Sequence, residues 1–123
     1  MNPNPVNWFE IYVQDMDRAR KFYEAVFQAK LEKLDSGDID MWAFPMSPDA
    51  MGSGGSLVYM KGFPQGSGNT IVYFRCDDCA VEESRVVKAG GKVHKTKFPI
   101  GQYGFISLVV DTEATMIGLH SRK

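Results

Sequence analysis

Two cysteines in 123 residues are too few to staple a secreted scaffold, so reduced thiols are expected. No apolar run approaches the roughly 20 residues that cross a bilayer, and no membrane partner is expected. The opening Met1-Asn2-Pro3-Asn4-Pro5 has neither the basic start nor the apolar centre of a signal peptide, which points to the cytoplasm. Charge of one sign is also missing. Fourteen Lys and Arg stand against fifteen Asp and Glu, a net charge of −1, without the clustered basic footprint of a nucleic-acid binder. The densest basic stretch, residues 92–97, alternates with Val93, His94 and Thr96 and reads as a solvated strand face. Gly52-Ser53-Gly54-Gly55 lacks the following helix and Lys of a phosphate loop, and no nucleophile elbow occurs. These absences leave one small globular domain, or two small modules sharing a core, whose partner is a small molecule.

What is present is organised around residues 6–27. Residues 6–13 alternate, with Trp8, Glu10 and Tyr12 on one face and Phe9, Ile11 and Val13 on the other. From residue 16 the spacing turns helical, with an apolar stripe of Ala19, Phe22, Tyr23, Val26 and Phe27. Asp15 at the switch is placed to accept hydrogen bonds from the first helical turn. A strand face bearing an indole, a carboxylate and a phenol is mixed enough to suggest a pocket wall. Strands are then expected over 29–35, 39–44 and 56–60, with a turn at Ser36-Gly37-Asp38.

Residues 61–69, with three Gly and a Pro, form the expected linker. The order then repeats. A strand over 70–76, Asp77-Asp78 as cap, a helix over 79–89 stopped by Gly90-Gly91, and strands over 92–98, 103–110 and 115–120 follow. Val13-Gln14-Asp15 and Cys76-Asp77-Asp78 mark equivalent points of the two copies. The expected fold is therefore α+β: one domain over 1–123, built from two βαβββ modules, 6–60 and 70–121. Each module has an apolar sheet face it cannot cover alone, which favours facing curved sheets, a cleft between them and a homodimer.

The segments Trp8-Phe9-Glu10-Ile11-x-Val13-x-Asp15-x-x-Arg18-Ala19-x-x-Phe22-Tyr23, Val72-Tyr73-Phe74-x-x-Asp77-Asp78, Ala89-Gly90-Gly91-Lys92-Val93, Gly104-Phe105 and Asp111-Thr112-Glu113-x-x-Ile117-Gly118-Leu119-His120-Ser121 resemble the vicinal oxygen chelate superfamily. The resemblance is to its branch of small glyoxalase-like and bleomycin-resistance-like bacterial proteins, and it covers nearly the whole chain. It implies the paired-module fold and a site between modules. It leaves the activity open among isomerases, dioxygenases, thiol transferases and non-catalytic drug binders.

Metalloenzymes of that superfamily hold a divalent ion with four His or Glu residues. Carried over, those positions fall on Trp8, Ser56, Ile71 and Gly118. None supplies a His or carboxylate donor, so no metal and no other cofactor is expected. Glu10 and His120 stand two residues beyond Trp8 and Gly118 and share their faces. They are the candidate acid–base pair for lyase or isomerase chemistry, set against purely structural roles. Trp8, Tyr12, Ser56, Tyr73 and Gly118 are the candidate ligand-binding residues, whereas Trp42 reads as core. The alternative function is non-catalytic binding of a drug or other small molecule.

Five methionines (Met41, Met46, Met51, Met60 and Met116) read chiefly as gap-fillers. The Cys76-x-x-Cys79 spacing suggests a redox or zinc site, but the intervening aspartates are expected to raise the thiol pKa. Zinc would also need two further ligands.

Overall fold

The computed structural model describes residues 1–62 and 68–123, so the middle of the expected linker lies outside the described residues. Two compact units result: Trp8–Thr70, and Met1–Asn7 together with Ile71–Lys123.

The first unit takes its strands from β1 (Val6–Tyr12), β2 (Glu32–Lys33), β3 (Asp40–Ala43) and β4 (Gly54–Tyr59), in the order β2-β3-β4-β1. β1 and β4 run parallel, and the other pairs are antiparallel. The strand expected over 29–35 shrinks to two ladder residues, Glu32 and Lys33, paired with Ala43 and Trp42, beyond which the Leu34 amide donates to the Met41 carbonyl at 2.9 Å. Register puts Ile11 beside Leu57 and Leu57 beside Trp42, on the face covered by helix α1 (Met16–Phe27). Met16, Leu31 and Leu57 form that core, with Ile11, Val13, Ala19, Tyr23, Trp42 and Phe44 packed on it.

Asp15 caps α1 as the sequence suggests. Its carboxylate accepts the Arg18 amide at 3.0 Å, from an extended backbone with φ −141°. Gln28 ends the helix in the left-handed region (φ 51°). The expected apolar stripe divides, however. Ala19 and Tyr23 pack inward, while Phe22, Val26 and Phe27 remain 59%, 56% and 65% exposed. One residue advances the helix by about 100°, so Phe22 is carried to the flank of a stripe centred on Met16 and Tyr23. Phe27 lies on the last turn, where its ring stacks on Tyr23 with centroids 6.3 Å apart. The guanidinium of Arg20 covers Trp42 instead, 3.5 Å from its ring centroid.

The second unit repeats the pattern with β5 (Thr70–Arg75), α2 (Cys79–Arg85), β6 (Lys92–Pro99), β7 (Phe105–Val110) and β8 (Met116–Ser121), in the order β5-β8-β7-β6. Again the first and last strands run parallel. Asp78 caps α2 through the Ala80 amide at 3.0 Å, and its φ and ψ of −142° and 109° match the −141° and 106° of Asp15. Cys79, Val109 and Leu119 form the core.

The helix expected to reach residue 89 stops at Arg85 and continues as turns to Gly90. A Cβ on Gly91 would stand 2.5 Å from the Val110 carbonyl oxygen. The chain must therefore turn in close against β7 and cannot extend its helix outward. Strand β6 carries two register shifts, between Val93 and Lys95 and between Lys95 and Phe98, which break the alternation of the basic stretch. Lys97 consequently reaches Asp78 at 2.8 Å, and the pair holds the Asp78 carboxyl below its usual range and the Lys97 ammonium above its own.

Candidate functional site

Alternation along β1 places Trp8, Glu10 and Tyr12 on the face away from α1, and the structure joins them. The Glu10 carboxylate accepts from Trp8 Nε1 at 3.2 Å through Oε2 and from the Tyr12 hydroxyl at 2.8 Å through Oε1. Residues two apart on a strand share a face about 7 Å apart, close enough for long side chains to meet over the central residue. Glu10 and Tyr12 are buried and Trp8 only partly so. Solvent therefore reaches this trio from the indole end.

The parallel register sets Ser56 directly beside Glu10, with Gly54 beside Trp8. A Cβ on Gly54 would meet the Trp8 ring at 3.2 Å, so glycine there lets the indole lie close over β4. Ser56 is fully buried, and its hydroxyl has no hydrogen-bond partner among the described residues. An unpaired buried hydroxyl costs stability. Ser56→Ala is therefore expected to stabilise the fold by about 1 kcal/mol in a chemical denaturation experiment.

The remaining candidates lie in the second unit. Tyr73 stands beside Gly118, and His120 lies two residues further along β8, beside Arg75. The Tyr73 ring is laid over Gly118, where an added Cβ would stand 2.2 Å from a ring carbon. Gly118 thus acts by being small. His120 Nε2 lies 2.7 Å from the Tyr103 carbonyl oxygen, which only accepts, so Nε2 carries the hydrogen. Nδ1 is then free to accept from Asn7 Nδ2 at 3.2 Å. Both imidazole nitrogens are engaged, and Glu10 and His120 belong to different units. Spacing gave no signal for Asn7 or the Tyr103 carbonyl, since the His120–Asn7 pair spans 113 residues.

The Cys76 thiol is raised as the sequence suggests, for a different reason. Cys76 and Cys79 are unbridged, and the Cys76 thiol is pushed up to about 11, first by burial and then by the charge of Glu82 rather than by the intervening aspartates. The folded-state value is raised, so the associated stability is complete below the unfolded thiol's pKa and is lost as pH rises toward 11. Alkylation of Cys76 by iodoacetamide is expected to be slow at pH 8 and to accelerate only above pH ~10. Peptide mass mapping of the labelled chain reads this directly.

Comparison with known proteins places the geometry in context. The sequence model of the Glyoxalase/Bleomycin resistance protein/Dioxygenase superfamily matches residues 6–116. The chain belongs to this superfamily. Its α+β fold of two βαβββ units is the fold of the superfamily's solved members. A hypothetical protein of Bacillus halodurans C-125 superposes with a TM-score of 0.72 at 14% identity, covering 99% of this chain and 96% of its own. Methylmalonyl-CoA epimerase from Mycobacterium tuberculosis gives 0.65 at 15% identity, covering 100% and 93%. A variant of 4-hydroxymandelate synthase from Streptomyces coelicolor gives 0.70 at 17% identity, covering 99% of this chain but 39% of that larger one. No curated protein matches the sequence.

The positions that the sequence resemblance assigns to metal ligands hold an indole that donates to Glu10, a buried hydroxyl, the alkyl chain of Ile71 and a glycine. That donor set does not fit a divalent cation. Among the described residues, no three His, Cys, Asp or Glu side chains gather to hold one. Among them also, no helix is long and apolar enough to cross a membrane.

Proposed function

We propose that this superfamily member binds a small organic molecule without a metal ion. Its polar centre is Glu10, flanked by Trp8, Tyr12 and Ser56, with Tyr73, Gly118 and His120 as the ligand-facing residues of the second unit. The carrying observation is the buried Glu10 carboxylate, oriented by an indole and a phenol beside the unpaired Ser56 hydroxyl. A carboxylate positioned this way suits proton transfer at a carbon next to a carbonyl, the chemistry of a lyase or isomerase. Structural neighbours described as epimerases acting on CoA esters support the isomerase class.

Residues 1–123 act in this reading as one domain of modules 6–60 and 70–121 joined through 61–69, in the cytoplasm. A second reading, binding without chemistry, is favoured by the full engagement of both His120 nitrogens. The two readings separate on one pair of variants. Under catalysis, Glu10→Gln or His120→Ala abolishes turnover. Under binding alone, both retain affinity and Trp8→Ala loses it.

The two tryptophans provide the test of the site itself. Trp8 Nε1 is bonded to Glu10 and Trp42 Nε1 to Asp40. In an NMR screen of small organic acids and CoA thioesters, a ligand at Glu10 shifts the Trp8 indole proton and leaves that of Trp42 in place. Binders that move Trp42 alone would refute the assignment.

A homodimer is part of the same proposal. The exposed Phe22, Val26 and Phe27 on α1 support it as an apolar surface of the kind that seeks a partner. Phe22→Glu is expected to shift the mass measured by light scattering from dimer to monomer.

A further inference from the structure

Asn7 and His120 form a polar pair inside the second unit, and one atom of the pair is left over. His120 Nε2 donates to the Tyr103 carbonyl at 2.7 Å, and Asn7 Nδ2 lies 3.2 Å from His120 Nδ1. The remaining polar atom, Asn7 Oδ1, is inaccessible to solvent and has no hydrogen-bond partner among the described residues. Asn7 thus gives its donor to the ring and leaves its acceptor buried and unpaired, which costs stability.

A second proton on the imidazole has one place to go. A carbonyl only accepts, so Nε2 keeps its hydrogen in both charge states, and a proton from solvent must enter at Nδ1. Nδ1–H then points at the Asn7 NH2 group, donor against donor. Turning the Asn7 amide by about 180° around its Cβ–Cγ bond removes the conflict. Its two terminal atoms are nearly equal in size, so the turn changes hydrogen bonding and leaves the shape alone. Oδ1 then accepts from Nδ1–H, and no donor has to release Oδ1 first. Nδ2 becomes the unpaired group in its place, so the count of unpaired buried groups is unchanged.

No other group competes for the ring. Arg75 stands beside His120 on β5 and Ile106 beside it on β7. Tyr73 shares its face, and Asp77 lies exposed just past the end of β5. In the turn that carries Tyr103, Arg122 donates to the Gln102 carbonyl at 2.9 Å. Among the described residues no carboxylate forms an ion pair with the imidazole.

We propose that Asn7 and His120 are a proton-coupled pair, in which the Asn7 amide turns over when His120 takes up its second proton. The ring then stays anchored at both nitrogens in both charge states, and Asn7 is its positioning residue. Acidification adds a positive charge beside Arg75, on the Tyr73–Gly118–His120 face, without releasing the imidazole. The pair is independent of Glu10 and of the function proposed above.

A pH titration of the ligand-free protein by NMR tests this, read at the His120 ring nitrogens and the Asn7 side-chain amide. Both are expected to move with one midpoint, with Nε2 protonated throughout. Variants supply the decisive sign. An amide that only donates to Nδ1 favours the neutral ring, so its loss in Asn7→Leu would raise the His120 midpoint. An amide that turns gives the imidazolium a charge-assisted bond, stronger than the neutral one. Asn7→Leu is therefore expected to lower the midpoint, by roughly half to one pH unit. Asn7→Asp supplies a fixed acceptor with a negative charge and is expected to raise it by at least about 1 pH unit. An Asn7 amide unmoved while His120 titrates, a midpoint not lowered by Asn7→Leu or not raised by Asn7→Asp, or a ring that stays neutral until acid unfolding would overturn the proposal.

Discussion

Gly118→Ala is expected to cost about 3 kcal/mol, at the upper end of overpacking penalties. The added methyl would stand 2.2 Å from one Tyr73 ring carbon and 2.4 Å from another, well inside contact distance. Tyr73 is itself buried and has little room to yield, so ring and strand must both move. For a domain of this size the corresponding fall in Tm is roughly 10 °C. Thermal unfolding followed by circular dichroism checks it. Gly37→Ala is a useful contrast, because nothing lies within 4 Å of a Cβ there and only the positive φ of 67° opposes the substitution. A smaller fall is expected for it, on the order of 1 kcal/mol.

Glu10→Ala should be the second large effect, acting on stability and binding together. It strips the acceptor from both the Trp8 indole and the Tyr12 hydroxyl and leaves a gap beside the buried Ser56. Each donor deprived of its bond inside the protein loses about 1–3 kcal/mol, so a total near 3 kcal/mol is expected. Glu10→Gln keeps the volume and one accepting oxygen, and should lose less than half as much. If the two substitutions destabilise equally, charge rather than hydrogen bonding holds the trio together. If neither does, Glu10 does not organise this face.

The sequence made much of this architecture legible where local signals were strong. Asp15 and Asp78, each at a switch from strand to helix, marked two copies of one unit, and their backbone angles agree within a few degrees. The bounds of α1 followed from the cap and the helical spacing. The Trp8–Glu10–Tyr12 face followed from alternation alone, because residues two apart on a strand must share a side.

What escaped the sequence depends on distant partners. Phe22 and Val26 satisfy helical spacing, yet which flank of a helix meets the sheet is decided by the packing of Met16 and Tyr23. The early end of α2 reflects the approach of Gly91 to the Val110 carbonyl, across nineteen positions of chain. Asn7 and His120 meet only because the first seven residues join the second unit. The raised Cys76 thiol was foreseen with the wrong neighbours, since the helix presents Glu82 to it from the next turn.

The central claim is that a small organic molecule, and no metal ion, occupies the face organised by Glu10. Native mass spectrometry of untagged protein, compared with the same sample denatured, tests it most directly. The expected result is an organic ligand released from the wild-type chain, retained after treatment with a chelator and missing from Trp8→Ala. A stoichiometric divalent ion that stays with the native protein, and whose removal expels the ligand, would contradict it.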